Sequence, residues 1–67
     1  MQISYKRLWK LLIDKGITQS DFRKMADISF GTMTRLRKSE PVSMEILWKI
    51  CTTLQCSIED VVEFVAE

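Results

Sequence analysis

Residues 18–36 read TQSDFRKMADISFGTMTRL, and this stretch decides the fold. Phe22, Met25 and Ala26 stand at the i, i+3, i+4 spacing of one helix face. Ile28 follows, and Met33 with Leu36 resumes the repeat on a second short helix. A break of three residues separates the two. Neither segment is long enough to be stable as an isolated helix, so each must bury its stripe against the other and against the rest of the domain. Two short helices crossing steeply through a tight turn form a helix-turn-helix, whose second helix can enter the DNA major groove.

Outward from this stretch the chain reads as further helix. Ser4 is expected to cap a first helix carrying Tyr5, Leu8, Trp9 and Leu12 on one face, with Gly16 as its stop. Thr18 followed by Asp21 has capping-box spacing for the second helix, and Ser29 is placed to cap the third. Ser39, Glu40 and Pro41 break the pattern, because the residue before a proline avoids helical angles. Ser43 opens a fourth helix with Met44, Leu47, Trp48, Cys51 and Leu54 inward and Ile50 beside them. Trp48, at the centre of that stripe, is expected to be largely buried. Ser57 with Asp60 caps a short fifth helix bearing Ile58, Val61, Val62 and Val65. The expected architecture is an all-α domain of five helices spanning residues 1–67.

The 67 residues, 46% of them hydrophobic, suit one compact domain. A chain of this size buries only about 60% of its unfolded surface, so association into a dimer would add stability. There is no run of eighteen apolar residues that would cross a membrane and no signal-peptide pattern, so the expected location is the cytoplasm. Histidine is absent, and the two cysteines, Cys51 and Cys56, are too few for a structural zinc site within one chain. Neither a metal nor another cofactor is expected. No glycine-rich phosphate loop, activated nucleophile or paired carboxylates stand out, and the commonest acid–base residue is missing. The chain reads as a binding module, not an enzyme.

A net charge of +1 conceals a strong division. Through Lys38, nine basic residues face three acids, a net of +6; from Ser39 onward Lys49 alone faces six acids, a net of −5. A polyanion is attracted to the first part and repelled by the second. The basic excess coincides with the helix-turn-helix, as expected of a nucleic-acid footprint.

Thr18-Gln19, Phe22, Ala26, Ile28-Ser29, Thr32-Met33 and Leu36, followed by Pro41, Val42 and Leu47, resemble the Cro/C1-type helix-turn-helix domain over nearly the whole chain. The runs ISYKRLWKLLIDKG and LWKICTTLQCSIEDVVEFV resemble a subgroup of small stand-alone regulators of bacteria and their mobile elements. The resemblance implies a sequence-specific transcription factor, usually dimeric, on a palindromic operator. Two positions depart from the family pattern. Arg23 stands where a small residue usually lets the helices approach, so its stem must snorkel with the guanidinium in water or on phosphate. Asp27 stands in place of a turn glycine, and tolerates the left-handed conformation better than most residues.

If Met33 and Leu36 point inward, Phe30, Gly31, Thr34 and Arg35 face outward as candidate base contacts. Arg35 can pair bidentately with guanine O6 and N7, or serve as a solvated or phosphate-bound arginine. Thr34 offers a methyl contact or one hydrogen bond. Phe30 either meets a thymine methyl or folds back into the core. Gly31 permits close backbone approach. Candidate phosphate contacts are Arg23, Thr32, Arg37 and Lys38, with Gln19 added by the resemblance. Lys6, Arg7 and Lys10 are weaker candidates. Ile46, Phe64 and Val65 are hard to bury together in so small a core, which marks the C-terminal third as a candidate homodimer interface. The same groups leave open a protein-interaction or antitoxin-like adaptor module.

Overall fold

The structure, a computed structural model, describes residues 1–66. It runs β1 (Gln2–Ser4), α1 (Lys6–Lys15), α2 (Gln19–Met25), α3 (Phe30–Arg37), α4 (Met44–Leu54), one 3₁₀ turn (Ile58–Asp60) and β2 (Glu63–Val65). Three of the helix starts are capped as their sequences require. The Asp21 amide donates to Thr18 Oγ1 at 3.1 Å, the Thr32 amide to Ser29 Oγ at 3.2 Å, and the Ile46 amide to Ser43 Oγ at 3.2 Å. Each bond satisfies one of the amides that a helix start leaves without an intrahelical partner. Gly16 ends α1 at φ 69°, and the Gly16 and Ile17 amides return to the Ile13 and Leu12 carbonyls. Asp27 takes φ 53° in the turn between α2 and α3, the left-handed geometry that usually selects glycine.

The core gathers Leu8 and Leu12 from α1, Phe22 from α2, Met33 and Leu36 from α3, and Leu47, Ile50 and Leu54 from α4, closed by Tyr5, Ala26, Ile28 and Val61. Tyr5 is buried, and its hydroxyl donates to the Glu40 carbonyl at 2.7 Å. That bond ties the chain after α3 to the start of α1 while satisfying a polar atom inside the core.

Four expectations are corrected. Four α-helices are present among the described residues, not five. Ser57 does engage Asp60, its amide donating to Asp60 Oδ2 at 3.1 Å, but the helix lasts a single 3₁₀ turn. Beyond Val61 the chain extends and pairs antiparallel with β1, with Gln2 opposite Val65, Ile3 opposite Phe64 and Ser4 opposite Glu63. Valine and phenylalanine favour that extended form, since branched and aromatic side chains fit a half-buried sheet. For the same reason Ser4 ends a strand instead of capping α1: Tyr5 occupies the cap position, with no side-chain cap bond. The third correction concerns α4, whose buried stripe is Leu47, Ile50 and Leu54. At ~100° per residue, Trp48 lies roughly a third of a turn from the middle of that stripe. It is 66% exposed, and Met44 is 71% exposed. Met25, read as core on α2, is also exposed.

Candidate nucleic-acid interface

The helix-turn-helix presents one open face, along α3. Met33 and Leu36 are fully buried, so the rest of the helix must turn toward solvent. Phe30, Gly31, Thr34 and Arg35 are all exposed, which brings the four candidate base readers onto one surface. The Arg35 side chain makes no hydrogen bond or ion pair among the described residues. Its five donors are available to a guanine edge or a phosphate. Thr34 is more constrained, because its hydroxyl donates to the Phe30 carbonyl at 3.0 Å. What it offers outward is a methyl group and the remaining acceptor capacity of Oγ1. Beyond its chain neighbours and its own helix backbone, a Cβ added at Gly31 would meet only Ser29 Oγ, at 3.9 Å.

Phe30 does not fold back into the core. It is 72% exposed, and the Arg23 guanidinium carbon lies 4.0 Å from its ring centroid. The Arg23 stem is half-buried, as snorkelling requires, and Nη1 donates to the Ile28 carbonyl at 3.3 Å. The guanidinium is therefore engaged within the fold at two points, a cation–π stack and a backbone bond. A sequence pattern that places arginine at a helix–helix approach does not by itself reveal this partner, which is formed only when the turn at Asp27 brings α3 round.

The candidate phosphate contacts border this face. Gln19 begins α2 and Arg37 ends α3, and Arg37 Nε donates to Gln19 Oε1 at 2.9 Å. This bond joins the outer ends of the two helices and holds both side chains at the edge of the α3 surface. Thr32 is half-buried; its hydroxyl oxygen accepts from the Ser29 hydroxyl at 3.0 Å. Lys38, just beyond α3, is exposed. Arg7, by contrast, belongs to the opposite charge: its Nε lies 3.1 Å from Glu63 Oε2, and Nη1 donates to the Glu59 carbonyl at 3.2 Å.

Of the candidate interface residues, Phe64 is 69% exposed, whereas Ile46 and Val65 are half-buried. Met44, Trp48 and Ile58 were not among those candidates, yet all three are exposed. They line two adjoining shallow grooves that share Met44, Leu47 and Ile58, one reaching Trp48 and the other Phe64. The two cysteines are free and half-buried. Burial pushes the Cys56 thiol from 9.0 up to about 11, aided by neighbouring Cys51 and Asp60 and opposed by Lys15.

Two short capped helices joined by a tight turn, the second offering an uncommitted arginine on an open face, define a helix-turn-helix DNA-binding domain. A model of the Cro/C1-type helix-turn-helix DNA-binding domain matches residues 7–67, and the chain belongs to that family. It is similar to the crystal structure of the transcriptional regulator VanUg (form II), with a TM-score of 0.94 and 38% identity over 98% of this chain and 88% of that one. No curated protein matches the chain. Among the described residues, no helix is long and apolar enough to cross a membrane.

Proposed function

We propose that this protein is a cytoplasmic, sequence-specific transcriptional regulator that binds a palindromic operator as a homodimer and has no catalytic activity. The observation that carries the reading is Arg35, exposed and without a partner among the described residues on the solvent face of a helix-turn-helix second helix, in a chain of the Cro/C1-type family. The likeness to the transcriptional regulator VanUg supports regulation as the purpose of DNA binding. Residues 1–67 act as a single DNA-binding domain in this reading. Phe30, Gly31, Thr34 and Arg35 meet base edges, while Gln19, Thr32, Arg37 and Lys38 meet phosphates and set the register.

Two considerations support a second copy. One α3 spans too few base pairs for useful specificity, whereas a two-fold pair reads half-sites roughly 34 Å apart. The apolar side chains of Met44, Trp48, Ile58 and Phe64 also remain exposed along two adjoining shallow grooves, a patch built from only four large side chains. A stable dimer buries about 800 Å² per partner. This face therefore suits a weak dimer in free solution that DNA completes. Phe64 is thus kept in the interface, with Met44, Trp48 and Ile58 forming its centre in place of the more covered Ile46 and Val65.

Selection of bound duplexes from a random pool tests the reading. A recovered palindrome with half-sites one turn apart is the expected result. An asymmetric site would overturn the symmetric dimer. No enrichment, with retention on a protein bait instead, would replace DNA regulation by an adaptor role.

A further inference from the structure

Arg23, a candidate phosphate contact, is held within the helix-turn-helix at two points. Its guanidinium carbon sits 4.0 Å from the centroid of the Phe30 ring, and its Nη1 donates to the Ile28 carbonyl at 3.3 Å. Ile28 is itself buried, so this carbonyl belongs to a fixed part of the backbone. A guanidinium held at both its edge and its face is a rigid shelf. The ring on that shelf is 72% exposed, although a phenylalanine at the first position of a helix ordinarily gains by covering itself. The next residue, Gly31, has no side chain, and beyond its own helix backbone and chain neighbours a Cβ there would meet only Ser29 Oγ, at 3.9 Å.

We infer that Arg23 is a positioning residue that holds the Phe30 ring outward as a reader of a thymine 5-methyl group in the major groove. The inference rests on the operator-binding reading above. A phenyl ring can neither donate nor accept a conventional hydrogen bond, so the donor and acceptor pattern of the groove is closed to it. The one apolar feature that the major groove displays is the thymine methyl. A freely rotating Phe30 would contact it in few of its conformers. A ring stacked on a fixed guanidinium is ordered before DNA arrives, which lowers the entropy lost on binding.

The experiment uses the operator recovered from the random pool, with each thymine replaced in turn by deoxyuridine. That exchange removes the methyl and leaves base pairing unchanged. The parent protein is expected to lose affinity about fourfold for each methyl that is read, the worth of one buried methyl-sized group. Phe30→Ala should bind the thymine and deoxyuridine duplexes equally at the position that the ring reads, while any methyl read by Thr34 keeps its effect. Arg23→Lys keeps the charge but not the planar stack, and should lose most of the methyl discrimination while its salt dependence stays that of the parent. Arg23→Met, which keeps the buried stem, should lose it as well, and thermal melts of both variants establish that they are folded at the binding temperature.

Full methyl discrimination in both folded Arg23 variants would overturn the positioning role. Uniform weakening on all sequences, with a salt slope shallower by about one in Arg23→Met, would return Arg23 to phosphate binding. An operator in which no thymine methyl matters overturns this inference alone, whereas a pool without any enriched duplex overturns the operator reading too.

Discussion

Arg35 and Lys38 stand three residues apart, yet they should fail differently when truncated. Arg35→Ala is expected to cost roughly 1–3 kcal/mol on the operator and to relax preference at one base pair of each half-site, because a bidentate guanine contact is lost. Lys38→Ala should weaken operator and random DNA alike and shallow the salt slope by about one. Titrations on both duplexes at several salt concentrations separate the two; equal losses for Arg35→Ala would remove it as a base reader. Gly31 makes the complementary case. A Cβ fits there without a clash, so Gly31→Ala should raise folding stability by about 0.5–1 kcal/mol through helix propensity. If the duplex backbone approaches closely at that point, the same methyl lowers operator affinity. A rise in Tm with unchanged binding would show that the approach is not close. Cys56 provides a test of the packing around the end of α4. Its thiol, raised from 9.0 to about 11, carries less thiolate than an ordinary cysteine at any pH below the raised value. At pH 8 its alkylation should be on the order of tenfold slower in the folded protein than in urea, since the smaller thiolate fraction is partly offset by the greater nucleophilicity of a more basic thiolate. Equal rates would mean that the thiol is not buried as described.

At the scale of elements, what could be read in advance depended on how local its causes are. Thr18, Ser29 and Ser43 each cap the helix that follows within three residues, so their spacing carried the helix starts directly. The left-handed turn at Asp27 was legible for the same reason, since its cost and its remedy lie in one residue. Ser29→Ala should accordingly destabilise the domain by about 1 kcal/mol, measured by urea melts, through the loss of the bond from the Thr32 amide. Because that cap sits directly before Phe30, a stability loss near zero would mean the bond is absent in solution. The β1–β2 pair was not legible. Three residues show too little alternation to mark a strand, and the two halves lie at opposite ends of the sequence. The valine-rich segment after Ser57 satisfies a helical stripe and an extended strand equally well, and its pairing with β1 decided between them. On α4 the difficulty was an excess of signal. Met44, Ile46, Leu47, Trp48, Ile50, Cys51 and Leu54 leave apolar residues on most of the helix, so periodicity could not say which of them the other elements would cover. The solvent face of α3 was the better case: two buried residues, Met33 and Leu36, sufficed to orient it. The Arg23–Phe30 stack and the Arg37–Gln19 bond were hidden, because each links residues brought together only by the turn.

Across the whole molecule, the charge divides at Ser39, and the apolar grooves that reach Trp48 and Phe64 are built mainly from the acidic side of that division. The basic excess lies in the part of the chain that contains α2 and α3, while the exposed Met44, Trp48, Ile58 and Phe64 belong to α4 and the segment that follows it. Arg7 spans the division, joining α1 to Glu63 and to the Glu59 carbonyl. No α3 residue lines the two grooves of this face, and the acids Glu59 and Glu63 stand next in sequence to Ile58 and Phe64, so a second copy seated there is proposed to leave α3 to the duplex with these acids at the seam. Trp48→Glu tests this with little disturbance to the core, since Trp48 is 66% exposed and glutamate is a good helix former. The variant should keep its helix content and lose less than about 1 kcal/mol of folding stability, in contrast to the 3–5 kcal/mol expected of a buried tryptophan truncated to alanine. Its self-association, followed by sedimentation, should fall below detection. Affinity for the palindrome should drop at least tenfold, because two copies then bind without helping each other. Affinity for a single half-site should remain that of the parent, since no DNA-contacting residue has changed. Phe64→Asp should reproduce the same pattern from the other groove. Loss of half-site affinity would mean that Trp48 supports the DNA-binding face itself, and parental binding to the palindrome by both variants would place the partner's surface elsewhere on the molecule.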